Sequence, residues 1–268
     1  MQFSCAILTA LHEPTETKVR ILLINPNVDA AITDFLLKAA RRFASPGTQL
    51  AGATGRFGAR YIATRTAYAI AGHAALDAFA EHGDTADTVV LACFGDPGIR
   101  ALQEIAPMPV IGMAEAACHA ASSGGRRFAI VTGGERWVPI LSEFVSGLGL
   151  RDQLTSVRAV ASSGGEIAAD PEGNLPALAE ACREAVKDGA EAVILGGAGL
   201  VGIPERLTPD VSVPLIDSLA PALAAAEAAA RNRSGERAPG AAPISIPTVG
   251  LGARLSRLMS GRKIGEVA

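Results

Sequence analysis

Cys93 is the residue of this chain whose type and position carry the clearest chemistry. It follows the apolar run at residues 88–92 and precedes Asp96 and Pro97, which suit the cap and the first turn of a helix. A thiol beside a helix N-terminus lies in a positive potential that stabilises the thiolate. The sequence therefore predicts that Cys93 is a base or nucleophile near neutral pH, with an inert cysteine at a strand end as the alternative.

Three loops are rich in groups that hold small polar ligands. The Asn-Pro-Asn motif at residues 25–27 offers side-chain amides, although turn chemistry alone also accounts for it. The glycine-rich motifs at residues 132–134 and 196–199 offer backbone N–H groups, but they fit neither the dinucleotide-binding spacing nor the P-loop. These loops favour a small-molecule substrate with carboxylate, amide or imide groups. The predicted substrate-binding residues are Asn25, Pro26, Asn27, Phe94, Gly95, Asp96, Thr132, Gly197, Ala198 and Gly199.

The elements that must position these loops are short apolar runs alternating with helical patterns. Continuous runs rich in Val, Ile and Leu occupy residues 20–24, 88–92, 127–131 and 192–195. Helical spacing of apolar residues is found at residues 34–42, 65–82 and 175–187. Fully apolar strands that alternate with helices are typical of parallel sheets covered on both faces. We therefore predict an α/β fold with its ligands at the carboxyl ends of the strands.

An internal repeat runs through the chain. Residues 86–93 match residues 190–197, and residues 21–25 match residues 128–132, at offsets of 104 and 107. A period this long favours two similar lobes over a solenoid. We predict two pseudo-symmetric lobes, each with a short parallel sheet of about four strands flanked by helices, and an active site in the cleft between them.

The repeat also predicts the division of the chain. Residues 19–115 with 217–250 are expected to form the first α/β lobe, and residues 116–216 the second. Residues 1–18 are an N-terminal extension, and the polar stretch at 231–240 is interpreted as a linker. Residues 251–268 are expected to form a C-terminal tail, and the stretch at 244–259 is expected to be either a docking arm or a surface segment. Across the cleft, Cys93 is expected to face Gly197.

Composition excludes several classes of protein. The formal net charge is −3 and only 4% of residues are aromatic, so nucleic-acid binding is not expected. The most apolar late stretch, residues 219–230, is too short to span a bilayer, and the N-terminus lacks the basic start of a secretory signal. The four cysteines have no paired spacing, which favours a cytoplasmic protein without a metal site.

Several motifs, taken in order, carry a resemblance to a known family. They are Ile-Asn-Pro-Asn at 24–27, Cys-Phe-Gly-Asp-Pro at 93–97, Pro-Val-Ile-Gly at 109–112 with Glu-Ala at 115–116, and Leu-Gly-Gly-Ala-Gly at 195–199. This order resembles the aspartate/glutamate/hydantoin racemase family, with the hydantoin and allantoin racemases as the nearest branch, over about residues 20–230. The resemblance implies two cysteines, one from each lobe, that work without metal or cofactor. One thiolate removes the proton next to a carbonyl group, and the opposite thiol returns a proton to the other face.

This chain departs from that pattern because Gly197 stands where the second cysteine would fall. Three interpretations remain open. A racemase could recruit another second base, for which Asp96, Glu115 and His73 are candidates. A one-cysteine decarboxylase or isomerase could deliver a single proton from Cys93, and a ligand-binding homologue could have lost turnover. A homo-oligomer is also expected.

Overall fold

A computed structural model of the protein describes residues 18–232 and 246–260. The strands of this part of the chain are β1 (Arg20–Asn25), β2 (Gln49–Thr54), β3 (Thr88–Leu91), β4 (Val110–Gly112), β5 (Phe128–Gly133), β6 (Leu154–Val160), β7 (Ala192–Gly196) and β8 (Leu215–Asp217). The α-helices are α1 (Ala30–Phe43), α2 (Arg65–His82), α3 (Ile99–Ile105), α4 (Met113–Ala121), α5 (Trp137–Gly147), α6 (Gly164–Ala169), α7 (Pro171–Lys187), α8 (Pro204–Leu207), α9 (Ala220–Arg231) and α10 (Ala253–Met259).

The strands form two four-stranded sheets with the same order. One sheet runs β2-β1-β3-β4 and the other β6-β5-β7-β8, and the neighbouring strands are parallel throughout. The register repeats as well, since Ile24 pairs with Leu91 in the first sheet as Val131 pairs with Leu195 in the second. The predicted α/β fold with two pseudo-symmetric lobes is confirmed. We call the β1–β4 sheet with its helices the first lobe, and the β5–β8 sheet with its helices the second.

The central strands β3 and β7 are completely buried. Every residue of β3 and β7 is buried, which suits strands covered by helices on both faces. Helix α4 joins the two lobes, because it packs on β4 and α9 as well as on β7 and β8. Its buried residues Met113, Ala117 and Cys118 belong to one apolar core that also includes residues of both sheets.

After β8 the chain returns to the first lobe. Helix α9 packs against α1, α4, β3 and β4. Its buried Glu227 accepts hydrogen bonds from the backbone N–H and hydroxyl of Ser45 and from the hydroxyl of Thr48, just beyond the end of α1. These bonds fix α9 to the loop that follows α1.

The C-terminal region contains an element that the sequence did not predict as a helix. Helix α10 packs on α2, with Leu255 buried and Arg254 donating to the carbonyl oxygen of Glu81. Residues 253–259 are therefore docked on the first lobe. The predicted N-terminal extension up to residue 17, most of the linker from residue 233, and the tail beyond residue 260 lie outside the described residues.

Residues 18–232 and 246–260 contain neither a helix that could span a membrane nor a cluster of metal-ligating side chains. None of the helices there is long and apolar enough to cross a membrane. Those residues also hold no group of three or more His, Cys, Asp or Glu side chains arranged to bind a metal ion.

Candidate active site

A cavity of about 190 Å³ lies where the strand ends of the two lobes converge. The first lobe lines it with Asn27, Asp29, Ile32, Arg60, Tyr61, Ile62, Cys93 and Phe94. The second lobe lines it with Thr132, Gly133, Trp137, Gly164, Gly165, Gly197, Ala198, Gly199 and Leu200. Cys93 and Gly197 thus border the same space, as the repeat predicts. The small volume suits a small-molecule ligand.

Cys93 follows β3 and is half-buried in the cavity wall. The helix after it, α3, begins only at Ile99 and has Gly98 at its N-cap, so the thiol is not beside the first turn as predicted. Burial raises the pKa of Cys93 well above its ordinary value, and the carboxylate of Asp96 raises it further. The prediction of a thiolate favoured by a helix N-terminus is therefore wrong, because burial and the carboxylate of Asp96 both favour the neutral thiol.

Asp96 caps a different helix from the one predicted. Its carboxylate oxygens accept hydrogen bonds from the backbone N–H groups of Ala114 and Glu115, at 2.9 and 2.8 Å, in the first turn of α4. The side chain is buried, and burial raises its pKa to about 7 against the opposing effect of these hydrogen bonds. Asp96 lines a separate cavity together with Glu115. It therefore supports the Cys93 loop from behind and does not line the site.

Asn25 organises the first loop without reaching the cavity. Its side-chain amide is buried and donates to the side-chain oxygen of Asn27, the carbonyl oxygen of Asp29 and the hydroxyl of Thr33. Asn27 is the residue of the Asn-Pro-Asn motif that lines the cavity, and Pro26 does not. The motif thus contributes Asn27 to the cavity wall, and Asn25 holds the loop in place through its hydrogen bonds.

Aromatic side chains close the cavity across the lobes. The ring of Phe94 lies against Gly196, where an added Cβ would come within 2.4 Å of the ring. The ring of Trp137 covers Gly95 in the same way, at 2.9 Å from an added Cβ. Gly95 therefore packs against the ring of Trp137, and it does not line the cavity. Trp137 both packs between the lobes and lines the cavity.

The wall from the second lobe carries polar groups but no acid or base. Thr132 is buried and contributes its hydroxyl-bearing side chain to this wall. Gly197 has a φ of +147°, a region that side-chain-bearing residues rarely adopt. Beyond it, Ala198 and Gly199 border the cavity in a short 3₁₀ turn. Among the described lining residues of this lobe, none has a side chain that titrates near neutral pH.

The three candidate second bases lie elsewhere. Asp96 and Glu115 border the separate cavity behind the Cys93 loop. His73 is exposed on α2 and packs against Phe57, with ring centroids 4.8 Å apart. None of the three lines the cavity that holds Cys93.

The sequence reasoning missed three polar residues of the site, namely Asp29, Arg60 and Tyr61. Asp29 is the N-cap of α1, where its side chain accepts from the N–H of Ala31, and a capping pattern gives no sign of a second role. Arg60 and Tyr61 belong to the loop between β2 and α2, which contains no recognisable motif. Only the packing of this loop against the cleft brings them to the site.

Two lobes of one strand order, with a cleft between their strand ends, define the pseudo-symmetric two-lobe class of α/β proteins. Residues 21–226 match the sequence profile of the Asp/Glu/Hydantoin racemase family, and the chain belongs to that family.

Individual relatives agree with this assignment. Hydantoin racemase of Paenarthrobacter aurescens is 35% identical over 212 residues, which cover 78% of this chain and 90% of that protein. The structure of allantoin racemase from Pseudomonas fluorescens is similar with a TM-score of 0.76 at 32% identity, covering 80% of this chain and 91% of the other. Arylmalonate decarboxylase, at 17% identity and a TM-score of 0.56 over 82% of this chain and 96% of its own, shares the fold.

Proposed function

We propose that this protein is a cofactor-independent enzyme of the racemase class that transfers a proton at a carbon next to a carbonyl group. Cys93 is the proton-transferring side chain. The observation that carries the proposal is the placement of Cys93 where the strand ends of both lobes meet around a small cavity. The hydantoin and allantoin racemases among its relatives support a substrate with a hydantoin-, allantoin- or amino-acid-like carbonyl group.

The second wall holds the substrate and does not exchange protons with it. The hydroxyl of Thr132 is suited to donate to a carbonyl oxygen that gains negative charge as the proton leaves. The backbone N–H groups of Ala198 and Gly199 are the further donors on this wall. Because Gly197 offers no acid or base, Cys93 is the protein side chain that exchanges a proton with the substrate, and inversion depends on a solvent water at the Gly197 face.

One-sided transfer has a kinetic signature. Cys93 removes the proton as a thiolate, exchanges it with solvent and returns a proton as a thiol mostly to the same face, whereas inversion requires a solvent water to protonate the opposite face. Exchange with solvent therefore proceeds faster than loss of optical purity. The raised pKa of Cys93 leaves only a small thiolate fraction near pH 7, and the exchange rate should therefore rise with pH. A two-cysteine racemase would instead exchange and racemise at similar rates.

The test follows deuterium exchange in D₂O. Enantiopure 5-substituted hydantoins, allantoin, aspartate and glutamate are monitored by NMR for deuterium uptake and by chiral chromatography for racemisation. We expect uptake to exceed racemisation, and Cys93→Ala to slow uptake by about 10²- to 10⁴-fold. Cys182→Ala is the matched control, because Cys182 is fully buried in α7 away from the cavity. Undiminished exchange in Cys93→Ala would overturn the role of Cys93.

A second candidate function is decarboxylation of a malonate-type substrate. The observation in its favour is that the cavity has the thiol of Cys93 on one wall and only Gly197 and its neighbours Ala198 and Gly199 at the position opposite. Loss of CO₂ creates a carbanion without any base, and one neutral thiol then suffices to protonate it. Release of CO₂ from substituted malonates, with no exchange into hydantoins, would select this function. If the protein shows neither deuterium exchange nor CO₂ release, it is a ligand-binding homologue.

A further inference from the structure

Charge is confined to one side of the cavity. Among the described lining residues, Arg60 is the cation and Asp29 the anion, and both belong to the first lobe. The remaining wall consists of apolar side chains, glycines and neutral polar groups. A ligand that enters this cavity therefore meets one guanidinium.

The pairing of Arg60 with Asp29 is loose. One guanidinium nitrogen lies 3.4 Å from Asp29 Oδ2, and the Arg60 side chain is 81% exposed. Arg56 offers a contrast in the same loop, since two of its nitrogens bind Asp77, each at 2.7 Å. A guanidinium has five N–H donors and binds carboxylates best through two parallel hydrogen bonds. Most of the donor capacity of Arg60 is therefore unused by the described residues.

Asp29 does not depend on Arg60 for its position. Its other carboxylate oxygen, Oδ1, accepts from the N–H of Ala31 as the N-cap of α1, and its backbone N–H donates to Asn27. Arg60 can therefore leave Asp29 for a ligand without disturbing the helix start.

The loop that carries Arg60 is also fixed by other contacts. The carbonyl oxygen of Ala59 accepts from the N–H of Val28, and Ile62 is buried in the core. The hydroxyl of Tyr61 bonds to the second lobe. An exposed ion pair contributes little stability in any case. The loop is therefore stabilised mainly by contacts other than the Arg60–Asp29 ion pair.

We propose that Arg60 selects substrates that carry a carboxylate. The inference rests on the proposed function of this cavity and names its substrate class. The reacting carbon faces Cys93, and a carboxylate on a short side chain replaces the single loose contact with Asp29 by a bidentate pair with Arg60. The cavity volume of about 190 Å³ restricts that side chain to a few atoms.

The experiment uses two probes that cannot react. They are 5-methyl-5-(carboxymethyl)hydantoin and its neutral amide, 5-methyl-5-(carbamoylmethyl)hydantoin, which lack a hydrogen on the carbon that would exchange. Calorimetry measures the Kd of each with the full-length protein. We expect the wild type to bind the carboxylate about 10- to 100-fold more tightly than the amide, because a hydrogen bond to a charged group is the stronger kind. Arg60→Gln should bring this ratio close to one.

Arg183→Gln is the matched control. Arg183 also pairs with a carboxylate, that of Glu180, but on the exposed surface of α7. The Arg183→Gln variant should leave the ratio of the two Kd values as it is in the wild type. The proposal would be overturned if the wild type bound the two probes equally or bound neither. It would also be overturned if Arg60→Gln weakened the binding of both probes by the same factor. Because neither probe turns over, a failure of proton transfer leaves this comparison intact and is detected separately by deuterium exchange.

Discussion

The hydroxyl of Tyr61 donates a hydrogen bond to the carbonyl oxygen of Gly133, at 3.2 Å, across the cleft between the lobes. The phenol oxygen of Tyr61 in turn accepts a hydrogen bond from the backbone N–H of Gly164, also at 3.2 Å. Tyr61 comes from the loop after β2, whereas both glycines belong to the second lobe. The phenol therefore links the lobes at the edge of the cavity.

Removing this hydroxyl should loosen the lobes. We expect Tyr61→Phe to lower the free energy of unfolding by about 1 kcal/mol, because two partly exposed hydrogen bonds are lost while the ring remains. Hydrogen exchange at the Gly164 amide should accelerate. Tyr68→Phe is the control, since that hydroxyl bonds within the first lobe to the carbonyl oxygen of Gly95. Unchanged protection of Gly164 in a folded Tyr61→Phe variant would argue against the link.

Restoring a second thiol should carry a conformational cost. Gly197 has a φ of +147°, and an added Cβ would approach Leu200 Cδ1 to 3.0 Å. We expect Gly197→Cys to lose about 1–3 kcal/mol of stability, while raising racemisation relative to exchange. Chemical denaturation and chiral chromatography measure the two effects.

Gly165→Cys provides the comparison for that variant. Gly165 lines the same wall and does not have a positive φ. The nearest atom to a Cβ added there would be Ser163 Oγ, at 3.9 Å. It should accept cysteine with little loss of stability. If Gly197→Cys proved as stable as Gly165→Cys, backbone strain at Gly197 would not be an obstacle to a second thiol.

The buried parallel strands were predictable because burial on both faces leaves an uninterrupted apolar run, as in β3 and β7. The edge strands β2 and β6 were not predicted, because their sequences, Gln-Leu-Ala-Gly-Ala-Thr and Leu-Thr-Ser-Val-Arg-Ala-Val, mix polar and small residues along partly exposed positions. The repeat brought Cys93 and Gly197 together correctly. The ionisation of Cys93 was not predictable from its neighbours, since it depends on burial by residues distant in sequence.

The carboxylate behind the thiol should tune its reactivity. Asp96 has a pKa raised to about 7 by burial, so it is ionised above pH 7 and opposes the thiolate of Cys93 there. Asp96→Asn should therefore shift the pH dependence of Cys93 alkylation by iodoacetamide to lower pH. Asparagine tolerates the φ of +53° at this position. Mass spectrometry reads the Cys93 peptide at each pH.

The exposed Asp152 supplies the control for this titration. Asp152→Asn should leave the alkylation profile of Cys93 where it is in the wild type. A profile that moves to higher pH in Asp96→Asn would contradict the repulsion described above.

Glu227 should make the attachment of α9 sensitive to acid. Burial alone would raise its pKa, but the hydrogen bonds from Ser45 and Thr48 outweigh burial and lower the pKa below its ordinary value. A lowered pKa in the folded state stabilises the protein above the unfolded-state pKa, about 4.3, and that stability is lost as the pH falls through the folded value. Glu227→Gln should thus be less stable than the wild type at pH 7, by a margin that shrinks below pH 4.

Urea titrations at several pH values measure this margin. Glu104→Gln, at an exposed position of α3, should show no comparable margin at any pH. A margin for Glu227→Gln that stayed constant into acid would show that the carboxylate charge does not hold α9 in place.

The return of α9 to the first lobe has a consequence for the order in which the protein is completed on the ribosome. The sheet of the second lobe has all its strands once Asp217 has been synthesised. The sheet of the first lobe, although made earlier, waits for α9 to cover β3 and β4. We therefore expect the second-made lobe to finish first, and the nascent first lobe to expose apolar surface to chaperones until Glu227 reaches Ser45 and Thr48.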